Sequence, residues 1–228
     1  MINSVKFVDR MTEDFDVKLV QDARYYTPDP RYKRDAWMGD YQKAYDQFLA
    51  DPDKFWSGMA GELEWIGPWD KVKEWNYPYV KWFTNAKLNI TSNCLDRHVN
   101  SDRRNKAALI WRGEDGEERV FTYQKLLSQV MRFANALKKI GVKRGDCVCI
   151  YMPMVPEQII AMLACARIGA VHNVVFAGFG ATALNMRIHD ADAKVVITAD
   201  ISIRRGRAIP LITLVEEAIL NAMLPARP

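Results

Sequence analysis

Two short stretches carry the side chains best suited to chemistry: Val171-His172-Asn173-Val174-Val175-Phe176-Ala177-Gly178-Phe179-Gly180 and Ile203-Arg204-Arg205-Gly206-Arg207. The first reads as an apolar strand ending in a glycine turn, and the second as an arginine cluster one strand later. Together they can bring backbone amides and guanidinium forks to one place, which suits a phosphorylated ligand better than a neutral one. Arg204, Arg205 and Arg207 can clamp phosphate through bidentate hydrogen bonds, and Gly206 permits close approach because it has no side chain. If the segment is helical, Arg204 and Arg207 share a face. The plain alternative is a solvated basic surface, and placement just after a strand argues against it.

Gly178-Phe179-Gly180-Ala181-Thr182-Ala183 also satisfies a short dinucleotide pattern, with Asp200 at the end of the next strand. Ala177 delays the turn and Phe179 is bulky for a backbone meant to touch pyrophosphate, so a nicotinamide site competes with a purely structural turn. His172 sits in an apolar strand and reads as a hydrogen-bonded core residue, while His98 and His189 have no nucleophile nearby in sequence. No catalytic residue is assigned. Cys94 and Cys165 stand alone and Cys147-Val148-Cys149 puts two thiols on one strand face, which reads as reduced core cysteines and gives no metal site.

With 228 residues, 49% hydrophobic and 26% charged, the chain has material for one large core or a domain with an appendage. A net charge of +4 is too modest for a nucleic-acid protein. Residues 168 to 186 lack charge, but Gly169, His172, Asn173, Gly178, Gly180 and Asn185 make the segment too polar and broken for a membrane span; a buried strand, a loop and a helix start are expected. Met1-Ile2-Asn3-Ser4-Val5-Lys6 has no basic region feeding a long apolar one, so a cytoplasmic protein without a secretory signal is expected.

The elements that position the two stretches follow from periodicity. Residues 1–100 hold Trp37, Trp56, Trp65, Trp69, Trp75 and Trp82 among prolines and short helical patterns, such as Asp40 to Leu49 and Asp51 to Met59, each opened by an aspartate cap. This predicts an irregular, mostly helical aromatic-rich segment. Residues 101–228 turn to α/β. Ala107 to Arg112 and Arg119 to Phe121 flank an acidic turn and predict a hairpin. Thr122 caps a helix that Gly141 stops. Strands at Asp146 to Met152, Val171 to Phe176 and Lys194 to Thr198 alternate with helices opened by Pro156 and at Thr182, and a last helix runs from Leu214 to Met223. That cadence predicts a parallel sheet with flanking helices and right-handed crossovers, whose ligand end is the carboxyl end of the strands.

Longer runs make a relationship visible. They include Tyr41-Gln42-Lys43-Ala44-Tyr45, Trp69-Asp70-Lys71-Val72, Lys81-Trp82-Phe83, Asn93-Cys94-Leu95-Asp96-Arg97-His98, Tyr151-Met152-Pro153-Met154-Val155-Pro156-Glu157, Ala161 through His172, Val196-Ile197-Thr198-Ala199-Asp200 and Arg204 to Leu211. With these, residues 37 to 220 resemble the N-terminal portion of AMP-forming acetyl-CoA synthetases, acetate-CoA ligases of the adenylate-forming superfamily. The resemblance implies ATP-dependent, magnesium-assisted activation of acetate to acetyl-adenylate, then thioester formation with coenzyme A and release of AMP. It also implies that Arg204 to Arg207 hold the phosphorylated adenosine end of coenzyme A, and that Phe176, Ala177 and Gly178 line that cofactor's path. The chain departs where such enzymes usually carry glycine at Ala177 and serine at Gly180. The phosphate loop, acyl pocket and adenylation lysine expected of the family do not occur within the 228 residues. The expected chain is therefore the incomplete N-terminal domain of such an enzyme, inactive alone, with the missing remainder as its partner and with ATP and magnesium serving the complete enzyme only. A non-catalytic coenzyme A-binding or protein-interaction module is the alternative.

Overall fold

The computed structural model describes residues 30–36 and 38–223. Met1 to Lys6, Trp37 and Leu224 to Pro228, which entered the sequence reading, lie outside them. The chain divides into two compact units, Met1–Trp56 and Ser57–Pro228.

The first unit holds helices α1 (Pro30–Arg34) and α2 (Tyr41–Ala50) and the beginning of α3 (Pro52–Ala60). Both aspartate caps form: the Asp40 carboxylate accepts the Lys43 N–H at 3.1 Å and that of Asp51 accepts the Lys54 N–H at 2.9 Å. Each satisfies a donor that the first helical turn leaves open. Phe48 meets Phe55 and Trp56 edge to face, at centroid distances of 5.8 and 6.5 Å.

The second unit opens with a small hairpin, β1 (Lys73–Asn76) and β2 (Tyr79–Trp82), beside a cluster of Trp65, Trp69 and Phe83. A π-helical turn, Ser92–Asp96, runs into α4 (Arg97–Val99). Arg167 ties this segment to the rest: its guanidinium makes two hydrogen bonds to the Asp96 carboxylate, at 2.8 and 3.0 Å, and one to the Thr91 hydroxyl. The pair is mostly shielded from water, and the Asp96 hydrogen bond holds Arg167 even further above the ordinary range for arginine.

The acidic turn joins β3 (Ala107–Arg112) to β4 (Glu118–Thr122) as an antiparallel hairpin. α5 (Tyr123–Lys139) follows, with the Thr122 hydroxyl accepting the Lys125 N–H. The chain then alternates β5 (Cys147–Tyr151), α6 (Pro156–Ile168), β6 (Val171–Val174), α7 (Ala181–Asp190) and β7 (Ala193–Thr198). Strand order is β6-β5-β7 and both pairings are parallel, as the sequence cadence predicted. The uncharged run 168–186 is β6, a turn and the start of α7.

β5 is central, and Val148 through Tyr151 are sealed from solvent. Successive residues of a strand face opposite sides, so β5 feeds two cores. Val148 and Ile150 pack with Leu126, Val130, Ala134 and Leu137 of α5 and with Ile160, Ala161 and Ala164 of α6. Cys149 and Tyr151 pack with Ala181 and Leu184 of α7 and with Leu211, Val215 and Ala218 of the last helix. At roughly 25 cal/mol per Å² of apolar area, two such layers supply the dominant favourable term in folding. α6 ends at Gly169, whose φ of +74° places it in the left-handed region; an added Cβ would lie 3.0 Å from Arg144 Cγ.

The structure closes one alternative that the sequence left open and corrects two expectations. The segment after Asp200 is not helical: it forms a second hairpin, β8 (Ile201–Arg204) and β9 (Arg207–Pro210), before α8 (Leu211–Met223). The run Ile201-Ser202-Ile203 alternates in polarity, which is the strand period rather than the helical one. The core reading holds for Cys149 and Cys165, whose burial pushes both thiols up to about 11, but Cys94 is exposed. His172 is half-buried, and its Nδ1 has no hydrogen-bond partner among the described residues.

Gly180 is the N-cap of α7 and offers no side-chain acceptor, while a Cβ there would meet nothing within 4 Å among the described residues. Gly180→Ser, the residue usual in the family resembled, is therefore expected to raise stability by about 0.3 kcal/mol by capping the first turn. Urea unfolding of the two chains checks this; a stability loss would show that the N-cap geometry is wrong.

Candidate functional site

The candidate site lies beyond the carboxyl ends of β5 and β6, the end at which open α/β sheets bind ligands. The central strand sets its floor. Tyr151, the last residue of β5, is fully buried and donates its hydroxyl to the Phe179 carbonyl at 2.7 Å, so a phenol rooted in the core holds the turn that follows β6. Burial pushes this phenol above its usual range.

Within that turn Phe176 and Phe179 meet edge to face, at 6.0 Å between centroids. Gly178 is needed locally, because a Cβ there would lie 2.3 Å from Cε1 of the Phe176 ring. That contact gives Gly178 a structural reason without any dinucleotide. Asp200, the ribose partner in the nicotinamide reading, instead accepts the N–H of Ile201 with its carboxylate. Ala177 is partly buried and packs on the core shared with α7 and α8.

The arginine cluster is carried to the same place by the β8–β9 hairpin. Arg204 and Arg207 are directly opposed cross-strand partners. They therefore share a face, as the helical alternative also required, but by a different geometry. Alternation assigns that face: it is the one bearing buried Ser202 and half-buried Ile209, whereas Ile201 and Ile203 stand on the other, 45% and 61% exposed. The two arginines thus share that face at the hairpin tip, where both are exposed. The Arg204 guanidinium lies 5.3 Å from the centre of the Phe176 ring, a cation–π contact. The structure so brings together Arg204, Phe176 and Gly178. Among the described residues neither Arg204 nor Arg207 is in an ion pair.

Arg205 and Gly206 form the tip of the hairpin, with φ of +53° and +71°. Both turn residues have positive φ, as a type I′ connection demands, and glycine accommodates this better than arginine. Their backbone N–H groups do not stand open to a ligand. They donate to the carboxylate of Glu114, at 3.0 and 3.2 Å. Those two bonds hold the Glu114 carboxyl below the usual carboxylate range. A lowered value means that the hold is complete well above 4.5 and is lost as the pH falls through it.

Sequence reasoning missed Tyr151, Glu114 and Arg187. Arg187 lies over the Phe179 ring at 4.3 Å and donates to the Ala183 carbonyl. Tyr151 had one available signal, a hydroxyl at the end of an otherwise apolar strand, since a buried phenol needs a partner. Glu114 had none beyond its place in an acidic turn.

Comparison with known proteins agrees with this layout. The family described as "acetyl-coenzyme A synthetase N-terminus" matches residues 41–94, and the AMP-binding enzyme family matches residues 95–224, more than half of the chain. Acetyl-coenzyme A synthetase of Chlorobaculum tepidum is 56% identical over 184 residues, 81% of this chain and 28% of the relative. That of Gemmatimonas aurantiaca is 50% identical over 198 residues, 87% of this chain and 30% of the relative. The 3-hydroxypropionyl-coenzyme A synthetase of Sulfurisphaera tokodaii is 52% identical over 190 residues, 82% of this chain and 29% of the relative. The chain spans less than a third of the length of these relatives. With both family matches in sequence order and the parallel sheet beneath them, the chain belongs to the AMP-binding enzyme family, as an N-terminal portion of the acetyl-coenzyme A synthetase kind.

Proposed function

We propose that this chain carries part of the coenzyme A site of an ATP-dependent, AMP-forming acetate-CoA ligase, and that by itself it does not form acetyl-adenylate. The observation that carries the reading is the arginine pair: Arg204 and Arg207 are cross-strand partners on one face of a hairpin, neither is in an ion pair among the described residues, and the Arg204 guanidinium lies over the ring of an exposed phenylalanine. Such a pair suits a phosphate monoester, which is doubly charged near neutral pH and accepts bidentate hydrogen bonds. The Phe176 ring offers an apolar face to the nucleoside beside it.

In this reading Arg204 and Arg207 bind the 3′-phosphate of coenzyme A, Arg205 and Gly206 shape the turn between them, and Phe176, Ala177 and Gly178 line the path of the rest of the molecule. Acetate as the acid follows the acetyl-coenzyme A synthetases among the relatives, and ATP and magnesium act in the complete enzyme. The partner of the chain is then the remaining polypeptide of that enzyme, and its compartment is the cytoplasm. Among the described residues no helix is long and apolar enough to cross a membrane. The alternative of an interaction module draws on one observation: β6 is an edge strand of the sheet, with Val171 and Val174 exposed.

Titration calorimetry with coenzyme A and dephospho-coenzyme A tests the binding half. The chain is expected to prefer the 3′-phosphorylated form, and an Arg204→Ala/Arg207→Ala double variant to lose roughly ten- to hundredfold in affinity for it, the effect of removing charge-assisted hydrogen bonds. Equal affinity for both ligands in the parent chain refutes the assignment. The catalytic half is tested by acetate-dependent exchange of pyrophosphate into ATP. No exchange is expected from the 228-residue chain, and measurable exchange overturns that part.

A further inference from the structure

We propose that Glu114 is a positioning residue for the arginine pair: it accepts the N–H groups of Arg205 and Gly206 and thereby fixes the separation and direction of Arg204 and Arg207. The proposal rests on the reading that this pair binds the 3′-phosphate of coenzyme A.

Each oxygen of the Glu114 carboxylate takes one N–H, at 3.0 and 3.2 Å, across 91 and 92 residues of sequence. A two-oxygen grip on consecutive amides restrains the orientation of the turn as well as its distance. The turn needs such a restraint. Arg205 holds a left-handed conformation that disfavours a side chain, and asparagine, not arginine, is the residue that hairpins prefer there.

The loop that carries Glu114 is braced, so the residue can serve as a fixed point. Its loop is closed by the Gly113 N–H donating to the Glu117 carbonyl at 2.8 Å and by the Asp115 carboxylate accepting the Glu117 N–H at 3.0 Å. No side chain fits at Gly113, where a Cβ would lie 2.6 Å from the Asp115 carboxylate and 2.9 Å from the Trp111 ring. Below the loop, the β3–β4 hairpin is fastened to the start of α6. The Trp111 indole donates to the Met154 carbonyl at 2.7 Å, and Arg119 grips Glu157 through two hydrogen bonds, at 2.6 and 3.3 Å. A continuous run of contacts therefore leads from α6 through the first hairpin to the tip of the second.

The carboxylate also exerts an opposing effect. A negative charge near two arginines repels an anionic ligand, by about two- to threefold for exposed groups several Å apart in water and less at physiological salt. Positioning and repulsion thus predict opposite signs when Glu114 is replaced.

The experiment uses the 228-residue chain and its Glu114→Ala and Glu114→Gln variants. Amide hydrogen exchange at Arg205 and Gly206 is followed by NMR without ligand, and affinities for coenzyme A and dephospho-coenzyme A are measured by calorimetry. For Glu114→Ala, faster exchange at both amides is expected, together with a fall of about five- to tenfold in the preference for coenzyme A over dephospho-coenzyme A. Glu114→Gln is expected to recover part of that preference, because its carbonyl oxygen still accepts one N–H. An unchanged preference, a preference that rises in both variants, or unchanged exchange overturns the proposal. If the parent chain itself shows no preference, the reading of the arginine pair has failed and the proposal falls with it, a result distinct from a preference that survives the loss of Glu114.

Discussion

The hydrogen bond from the Tyr151 hydroxyl to the Phe179 carbonyl joins the buried centre of the molecule to the turn at the carboxyl end of its sheet. β5 lies between two strands and two layers of helices, so its last side chain has almost no freedom. A buried phenol without a partner would lose the hydrogen bonds it makes in water, at a cost of about 1–3 kcal/mol. The turn after β6 supplies that partner, and in doing so is pulled over the end of the central strand. Phe179 then sets Phe176, and Phe176 receives Arg204. The order of dependence runs from core to strand end, to turn, to ring, to guanidinium.

The electrostatic arrangement is the complement of that scaffold. The hairpin exposes Ile201 and Ile203 on one face, while Arg204 and Arg207, also exposed, stand opposite each other on the face that bears buried Ser202. Placing two like charges as cross-strand partners is unfavourable by itself and suits a place where an anion is to be held. Glu114 enters this basic neighbourhood, and its carboxylate engages the backbone of Arg205 and Gly206. It therefore shapes the site without neutralising the pair by direct contact.

Much of the architecture was legible in the sequence because period and punctuation agreed. The Thr122 cap, the Pro156 start and the Gly169 exit fixed the helices, and the spacing of apolar strands between them led to a parallel sheet. The β8–β9 hairpin was not legible, because Arg205-Gly206 is a poor match for the usual two-residue turn and the arginines drew attention away from the alternating Ile201-Ser202-Ile203. The approach of Arg204 to Phe176 was expected only as proximity; the stacking geometry depends on the hairpin. Glu114 could not be found by local reasoning, since its partners lie some ninety residues away and it recognises their backbone, which carries no residue-specific signal.

The central claim is that Arg204 and Arg207 together hold a phosphate monoester at the end of the sheet. The most direct measurement is a crystal structure of the chain with adenosine 3′,5′-bisphosphate, the phosphorylated end of coenzyme A. The expected result is the 3′-phosphate between the two guanidinium groups with the nucleoside beside Phe176. A nucleotide bound elsewhere, or bound here with its 3′-phosphate turned to solvent, contradicts the claim.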